Sequence, residues 1–282
     1  MIGARTVRNS AGSDRASHHP SCESSQSSDE GYRPVRDLET CRSLLTRNVR
    51  RGRASAQPGL LPHQTLTYAI GDIHGCSNKL RDLLAQCEAD ADGRPATLIF
   101  LGDYIDRGPD SRNVIELLMD LQQARPDQAI CLMGNHEDML LAAADHSAWE
   151  DRWLCNGGTQ TLGSYGVSDP RDLPKAQVDW LRRLPKFHDD GRRLFVHAGI
   201  HPNRALDLQD ETDLLWIKEP FLSSNKDFGR LIVHGHSPTS DRRPEIRSNR
   251  LNIDTGAVFG GPLAAAVFNV LNRDPQGFLF AA

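Results

Sequence analysis

Three things are scarce in this 282-residue chain, and each scarcity removes a class of protein. The six cysteines (22, 41, 76, 87, 131 and 155) form no C-x-x-C pair, which argues against a thiolate zinc site or a disulfide scaffold. Reduced, packed thiols in a cytoplasmic protein are the expectation instead. Long apolar runs are missing as well. The longest uncharged stretch, Thr255 to Asn272, is interrupted by Gly260, Gly261, Pro262 and Asn269, so it reads as a turn and a buried strand and not as a membrane span. Nor is there an excess of positive charge. With 33 basic and 37 acidic residues the formal charge is -4, which argues against a dedicated nucleic-acid binder.

What charge there is divides unevenly. Residues 1–60 carry ten Arg against six Asp or Glu, which leaves the rest of the chain at -8. The same segment holds ten Ser and few large apolar side chains. Such a segment buries too little surface to offset its ordering entropy, so a basic, Ser-rich disordered tail is predicted for 1–60. Asp14, Glu23, Asp29 and Glu30 spoil the acid-poor pattern of an organelle transit peptide. The tail's partner is not specified by its composition. Residues 61–282 are left as the folded domain.

From Leu66 onward the pattern is that of alternating strands and helices. Thr65–Ile70, Thr97–Leu101 and Ala129–Met133 read as strands, followed by helical spacing over Ser77–Cys87, from about Ser111, and over Asp138–Ala144. This is a βαβαβα series, which implies parallel strands with crossover helices. Asp145 to Arg192, with Trp149, Trp153, Asn156-Gly157-Gly158 and a helical stretch from Pro174 to Leu184, reads as a helical insertion of about 145–192. Strands resume at Leu194–His197, Leu231–His234, Leu251–Ile253 and Ala264–Val270 without obvious helices between them. A second sheet, mixed or antiparallel, is expected from these.

The spacing of polar clusters is the strongest signal. Asp72 to Asp103 is 31 residues and Asp103 to Asn135 is 32, close to the roughly 30 residues of one βα unit. Each cluster therefore falls just beyond a strand's carboxyl end, the edge at which open α/β sheets bind ligands. Five clusters share that placement: Asp72-Ile73-His74, Asp103 with Asp106-Arg107, Asn135-His136, His197-Ala198-Gly199 and His234-Gly235-His236. They take in five of the chain's eleven His. Carboxylate, imidazole and amide oxygen together suit Mn, Fe or Zn better than an all-oxygen Mg site.

Gly71–Gly75, Gly102–Gly108, Gly134–Glu137, His197–Gly199 and Gly235–Pro238 resemble, in order, the motifs of calcineurin-like metallophosphoesterases. More narrowly they resemble the bacterial branch of the phosphoprotein phosphatase family. Leu214-Leu215-Trp216-Ile217 and Asn252-Ile253-Asp254-Thr255-Gly256 are similar to flanking segments of its members. The resemblance covers about Thr67 to Val270. It implies an α/β (α+β) fold, a two-sheet β-sandwich flanked by helices, built on the N-terminal βαβαβ unit with a dinuclear metal site at the strand ends.

The resemblance also implies roles. Asp72, His74 and Asp103 would hold a first divalent metal; Asp103 as bridge, Asn135, His197 and His236 would hold a second, with Mn2+ expected and Fe or Zn as alternatives. His236 is preferred to His234 because it lies in the Gly-His-Ser-Pro match. Two cations about 3.5–4 Å apart would give a hydroxide near neutral pH and screen the phosphoryl oxygens during in-line attack. Arg107 would grip phosphate with its planar fork, Asn135 would contact it, and His136, oriented by Asp106, would protonate the leaving group. Lys218 stands where bacterial relatives often have Arg, as a further candidate for phosphate. His63, His146, His188 and His201 read as surface or packing residues.

The expected activity is a protein Ser/Thr phosphatase acting on phosphoprotein or small phosphoesters, because Asp106 precedes Arg107 and Glu137 completes Gly-Asn-His-Glu. Symmetrical bis(5'-nucleosyl)-tetraphosphate hydrolysis is the alternative; relatives with that activity usually lack the Asp before the motif Arg and have Asp in place of Glu137. A phosphodiesterase reading is weaker, since Pro238 stands where such enzymes commonly carry a second His. A non-catalytic phosphate-binding module of the same fold is the remaining reading, and it would normally have lost one of these residues.

Overall fold

Strand β1 (Leu66–Ile70) feeds two of the three hydrophobic cores found among the described residues. Leu66, Tyr68 and Ile70 point to one face and Ala69 to the other, as the two-residue period of a strand requires, and both faces are buried. The computed structural model describes residues 65–282; the expected tail at 1–60 and His63 lie outside the described residues. β1 pairs in parallel with β2 (Ala96–Phe100), and β2 pairs in parallel with β3 (Ala129–Cys131). Helices α1 (Ser77–Ala91) and α2 (Ser111–Ala124) make the crossovers, and α3 (Asn135–Asp145) follows β3.

The helices bury their apolar stripes against the face bearing Tyr68 and Ile70. On α2 that stripe is Val114, Ile115, Leu117, Leu118 and Leu121, all buried. Each such side chain contributes about 1.5–3 kcal/mol when taken out of water.

A second sheet covers the opposite face. Its order is β4 (Phe187–Asp189), β5 (Arg193–Val196), β6 (Leu231–His234), β8 (Arg250–Asn252) and β7 (Glu245–Ile246). Ala69, Ile99, Leu101, Phe195, Val233, Leu251 and Phe268 fill the space between the sheets. β5, β6 and β8 run parallel, with antiparallel β4 and β7 at the edges. The result is the expected two-sheet sandwich flanked by helices.

Three local expectations are corrected. Ala264–Val270 does not join the second sheet: β9 (Leu263–Asn269) pairs antiparallel with β1 in the first, Ile70 opposite Ala265. An Ala-rich strand buried on both faces carries no pattern that says which sheet will take it. β10 (Gly277–Ala281) extends that sheet as its edge, and was not expected. Finally, β5 and β6 are joined through a short helix, α7 (Glu211–Trp216), which is how two parallel strands can be neighbours.

Within 145–192 the chain forms α4 (Glu150–Trp153), a π-helical turn (Leu154–Gly158), α5 (Thr159–Tyr165) and α6 (Lys175–Arg182) before β4 returns it to the second sheet. Among the described residues no helix is long and apolar enough to cross a membrane.

Candidate active site

Every cluster singled out by its spacing falls just past the carboxyl end of a parallel strand: β1 before Asp72, β2 before Asp103, β3 before Asn135, β5 before His197 and β6 before His236. The loops there are tightly wound. Seven non-glycine residues among those described have positive φ, and five of them are His74, Asp103, Asp106, Arg107 and His236. Left-handed backbone costs a side-chain-bearing residue about 1 kcal/mol or more, and such strain persists where the surroundings fix it.

Glu137 does much of that fixing. Its carboxylate is fully buried and accepts the backbone N–H groups of Asp103 (2.9 Å), Tyr104 (2.8 Å), Ile105 (3.3 Å) and Gly134 (2.9 Å). It thereby ties the loop after β2 to the start of α3. Gly134 is needed at that junction: a Cβ there would collide with the backbone nitrogen and carboxylate of Asp103.

Asp103 is the centre. One carboxylate oxygen lies 3.3 Å from His197 Nε2 and the other 3.4 Å from His74 Nε2 and 4.0 Å from His136 Nε2. Two groups whose donor atoms lie close enough that they could hold a metal ion result, His74–Asp103–His136 and Asp103–His197–His236, with Asp103 common to both. Burial opposes the charge on Asp103, but the imidazoles of His197, His136, His74 and His236 outweigh it and hold its carboxyl below the usual range.

The rings are oriented from behind. His74 Nδ1 bonds the carbonyl of Ile105 (2.8 Å) and His197 Nδ1 that of Leu101 (2.9 Å), so in each the Nδ1–H donates and Nε2 keeps its lone pair for the centre. Burial drives His74 and His236 down to about 3, so both rings are neutral at neutral pH. Asn135 Oδ1 lies 2.8 Å from His197 Nε2 and 2.8 Å from His236 Nδ1.

Asp72 belongs to neither ligand group. Its carboxylate accepts the backbone N–H of His236 (3.0 Å), and it faces a carboxylate that sequence reasoning did not single out, Asp254. Burial pushes Asp72 well up, aided by Asp254 and Asp103; burial likewise raises Asp254 to about 6. Three carboxylates, each no more than 3% exposed, thus crowd one pocket, with the neutral imidazoles of His74 and His236 beside them. Divalent cations would neutralise this arrangement, and the anionic oxygen and neutral nitrogen donors fit them.

Beside the centre stands a closed pair. His136 Nδ1 lies 2.7 Å from Asp106 Oδ2, and both residues are at most 1% exposed. Asp106 also accepts from Trp153 Nε1 (2.9 Å) and Thr161 Oγ1 (2.7 Å), both supplied by the insertion. His136 Nε2 is buried without a hydrogen-bond partner among the described residues and faces Asp103. Burial would depress His136, but the charge of Asp103, then the hydrogen bond and charge of Asp106, leave its pKa above the ordinary value.

Arg107 Nη1 donates to His74 Nε2 (2.7 Å), and its guanidinium lies over the exposed Phe259 ring. Its backbone N–H donates to Gly157 O (3.1 Å); Gly157 has φ 105° and any Cβ there would strike Arg107. The Asn156-Gly157-Gly158 turn therefore braces Arg107 from behind.

Lys218 is exposed, and its charge helps to depress His236. His234 turns away from the centre: it packs against Phe221 at 5.1 Å, and its buried Nε2 has no hydrogen-bond partner among the described residues. His146 is exposed, while His188 and His201 are half-buried outside both ligand groups.

This arrangement has relatives. The calcineurin-like phosphoesterase family profile matches residues 66–268. The serine/threonine-protein phosphatase 1 of Salmonella typhimurium is 32% identical over 210 residues, 71% of this chain and 90% of that protein. A symmetrical bis(5'-nucleosyl)-tetraphosphatase of Dechloromonas aromatica is 36% identical over 154 residues, 52% of this chain and only 50% of the relative. An asymmetrical bis(5'-nucleosyl)-tetraphosphatase of Anoxybacillus flavithermus is 29% identical over 221 residues, 70% of this chain and 87% of that protein.

Among solved structures, a Saccharomyces cerevisiae protein serine/threonine phosphatase shares the fold with a TM-score of 0.52 at 16% identity, covering 77% of this chain and 79% of its own. With the matched segment taking in strands of both sheets and both groups that could hold a metal ion, the chain belongs to the calcineurin-like phosphoesterase family, of the phosphoprotein phosphatase type.

Proposed function

We propose that this phosphoesterase is a metal-dependent phosphomonoesterase acting on phosphoserine and phosphothreonine in proteins. The observation that carries the reading is the enclosed Asp106–His136 pair. A serine or threonine alkoxide is a very poor leaving group and needs a proton as it departs, whereas the phosphate leaving group of a polyphosphate is stable without one. A buried imidazole whose pKa is raised, with Nδ1 tied to a carboxylate and Nε2 unpartnered toward the centre, suits proton delivery to an alkoxide.

His74, Asp103, Asn135, His197 and His236, with Asp72 beside them, would hold two divalent ions, Mn2+ by preference and Fe or Zn as alternatives. Bound there, such ions supply a water acidic enough to act near neutral pH and charge to screen the phosphoryl group. The other tasks fall to side chains. Arg107 offers a planar pair of N–H donors to phosphate oxygens once it leaves His74, while Asn135 and Lys218 present an amide and an ammonium to the same rim. Asp106 accepts from His136 Nδ1–H and stabilises the imidazolium, whose Nε2–H would face the leaving oxygen, and Trp153 and Thr161 keep Asp106 in place. The walls of Leu101, Leu132 and Tyr104 exclude water from behind.

Tetraphosphate hydrolysis is kept as a second reading because the Dechloromonas and Anoxybacillus relatives carry that name. One assay separates the two. With Mn2+ present, kcat/KM toward a phosphoserine peptide is expected to exceed that toward bis(5'-adenosyl) tetraphosphate; the reverse order would overturn the phosphoprotein reading.

A further inference from the structure

Arg152 and Trp153 are neighbours on α4 and face opposite ways. Trp153 turns inward to Asp106. Arg152 turns outward, its guanidinium carbon 5.3 Å from the Trp149 ring centroid and 5.4 Å from that of Trp216. Trp216 in turn stands edge-on to His236, with ring centroids 6.4 Å apart at 77°. A cation is thus fixed on two indole rings at the lip of the Asp103–His197–His236 group.

The guanidinium is held without being neutralised. Among the described residues Arg152 makes no ion pair: the adjacent acid Glu150 is taken by Arg171 at 3.2 Å, and Asp138 accepts from Trp216 Nε1 at 3.4 Å. Trp149 is 44% exposed, so the stack opens to solvent. An arginine stacked in this way loses little further freedom when it takes an anion, and its fork matches a carboxylate or phosphate with two parallel hydrogen bonds.

We infer that Arg152, fixed by Trp149 and Trp216, selects substrates bearing a second anionic group beside the scissile phosphate, whether an acidic side chain of a phosphopeptide or a further phosphate of a nucleotide. This rests on the phosphomonoesterase reading of the adjoining centre. Arg152 touches no group of the Asp106–His136 pair and no ligand of the centre, so its work is choice of substrate. A lysine at 152 would keep the charge and lose the fork.

The test compares wild type, Arg152→Ala and Arg152→Lys, all loaded with Mn2+. The substrates are p-nitrophenyl phosphate, a phosphoserine peptide with acidic flanks, the same peptide with neutral flanks, and bis(5'-adenosyl) tetraphosphate. Arg152→Ala is expected to raise KM for the acid-flanked peptide about fivefold, the upper end for an exposed ion pair, with Arg152→Lys intermediate. Turnover of p-nitrophenyl phosphate and of the neutral peptide should not change. A loss confined to the dinucleotide also supports the inference and identifies the second anion as phosphate. Equal losses on all four substrates, or none on any, overturn it. The wild-type rate on p-nitrophenyl phosphate is the separate control: if it is absent, the phosphomonoesterase reading falls and takes this one with it, whereas an intact rate without selectivity defeats the Arg152 role alone.

Discussion

Two faces of one short helix set the chemistry apart from the choice of substrate. On the inner face, Trp153 is fully buried and its indole N–H completes the shell around Asp106 and His136. On the outer face, Arg152 rests on Trp149 and Trp216 in reach of solvent. Inside, both carboxylate oxygens of Asp106 are hydrogen-bonded, while His136 Nε2 has no partner among the described residues and faces Asp103. Outside, a charge is left over. The lesson is that each face is set by its charged neighbours: the enclosed imidazole keeps a raised pKa because Asp103 and Asp106 outweigh the burial that would lower it, while a selecting cation must stay open to meet what arrives.

Both faces depend on the centre they flank, so the largest effect comes from beneath them. Stripping divalent ions with excess chelator should abolish hydrolysis of every substrate, and Mn2+ should restore it; substantial turnover in chelator would contradict the ligand assignment of Asp103 and its imidazoles. A smaller effect isolates the inner face. Trp153→Phe keeps an aromatic ring in the core but removes the 2.9 Å hydrogen bond to Asp106. Loss of one such bond to a charged group costs about 1.5–3 kcal/mol, so kcat on a phosphopeptide should fall roughly tenfold to a hundredfold while KM holds. A change in KM alone would move Trp153 to the outer face's role. The Arg152 variants, with a KM shift of about fivefold for Arg152→Ala and less for Arg152→Lys, give the smallest and opposite signature.

Much of this was legible beforehand, for a physical reason. Parallel strands with crossover helices repeat at a fixed length, so the 31- and 32-residue spacings of Asp72, Asp103 and Asn135 already implied one shared edge. The family followed from the Gly-bounded motifs at those points. What stayed hidden was contributed by contacts without period or motif. Trp153 and Thr161 reach Asp106 across 47 and 55 residues from an irregular insertion. Asp254 was visible only as part of a flanking segment, because its meaning comes from facing Asp72 across the two sheets. Glu137 was read as a mark of substrate class; its four hydrogen bonds to backbone N–H groups give it a structural task as well.

The central claim is that His136 gives a proton to a poor leaving group, and one measurement bears on it most directly. His136→Ala is compared with wild type on a phosphoserine peptide and on p-nitrophenyl phosphate, with metal content verified in both. General-acid assistance is worth about 10²–10⁴-fold. The account predicts a loss of that size on the peptide and a far smaller one on p-nitrophenyl phosphate, whose phenolate departs unaided. Equal losses on the two substrates with metal retained would contradict it.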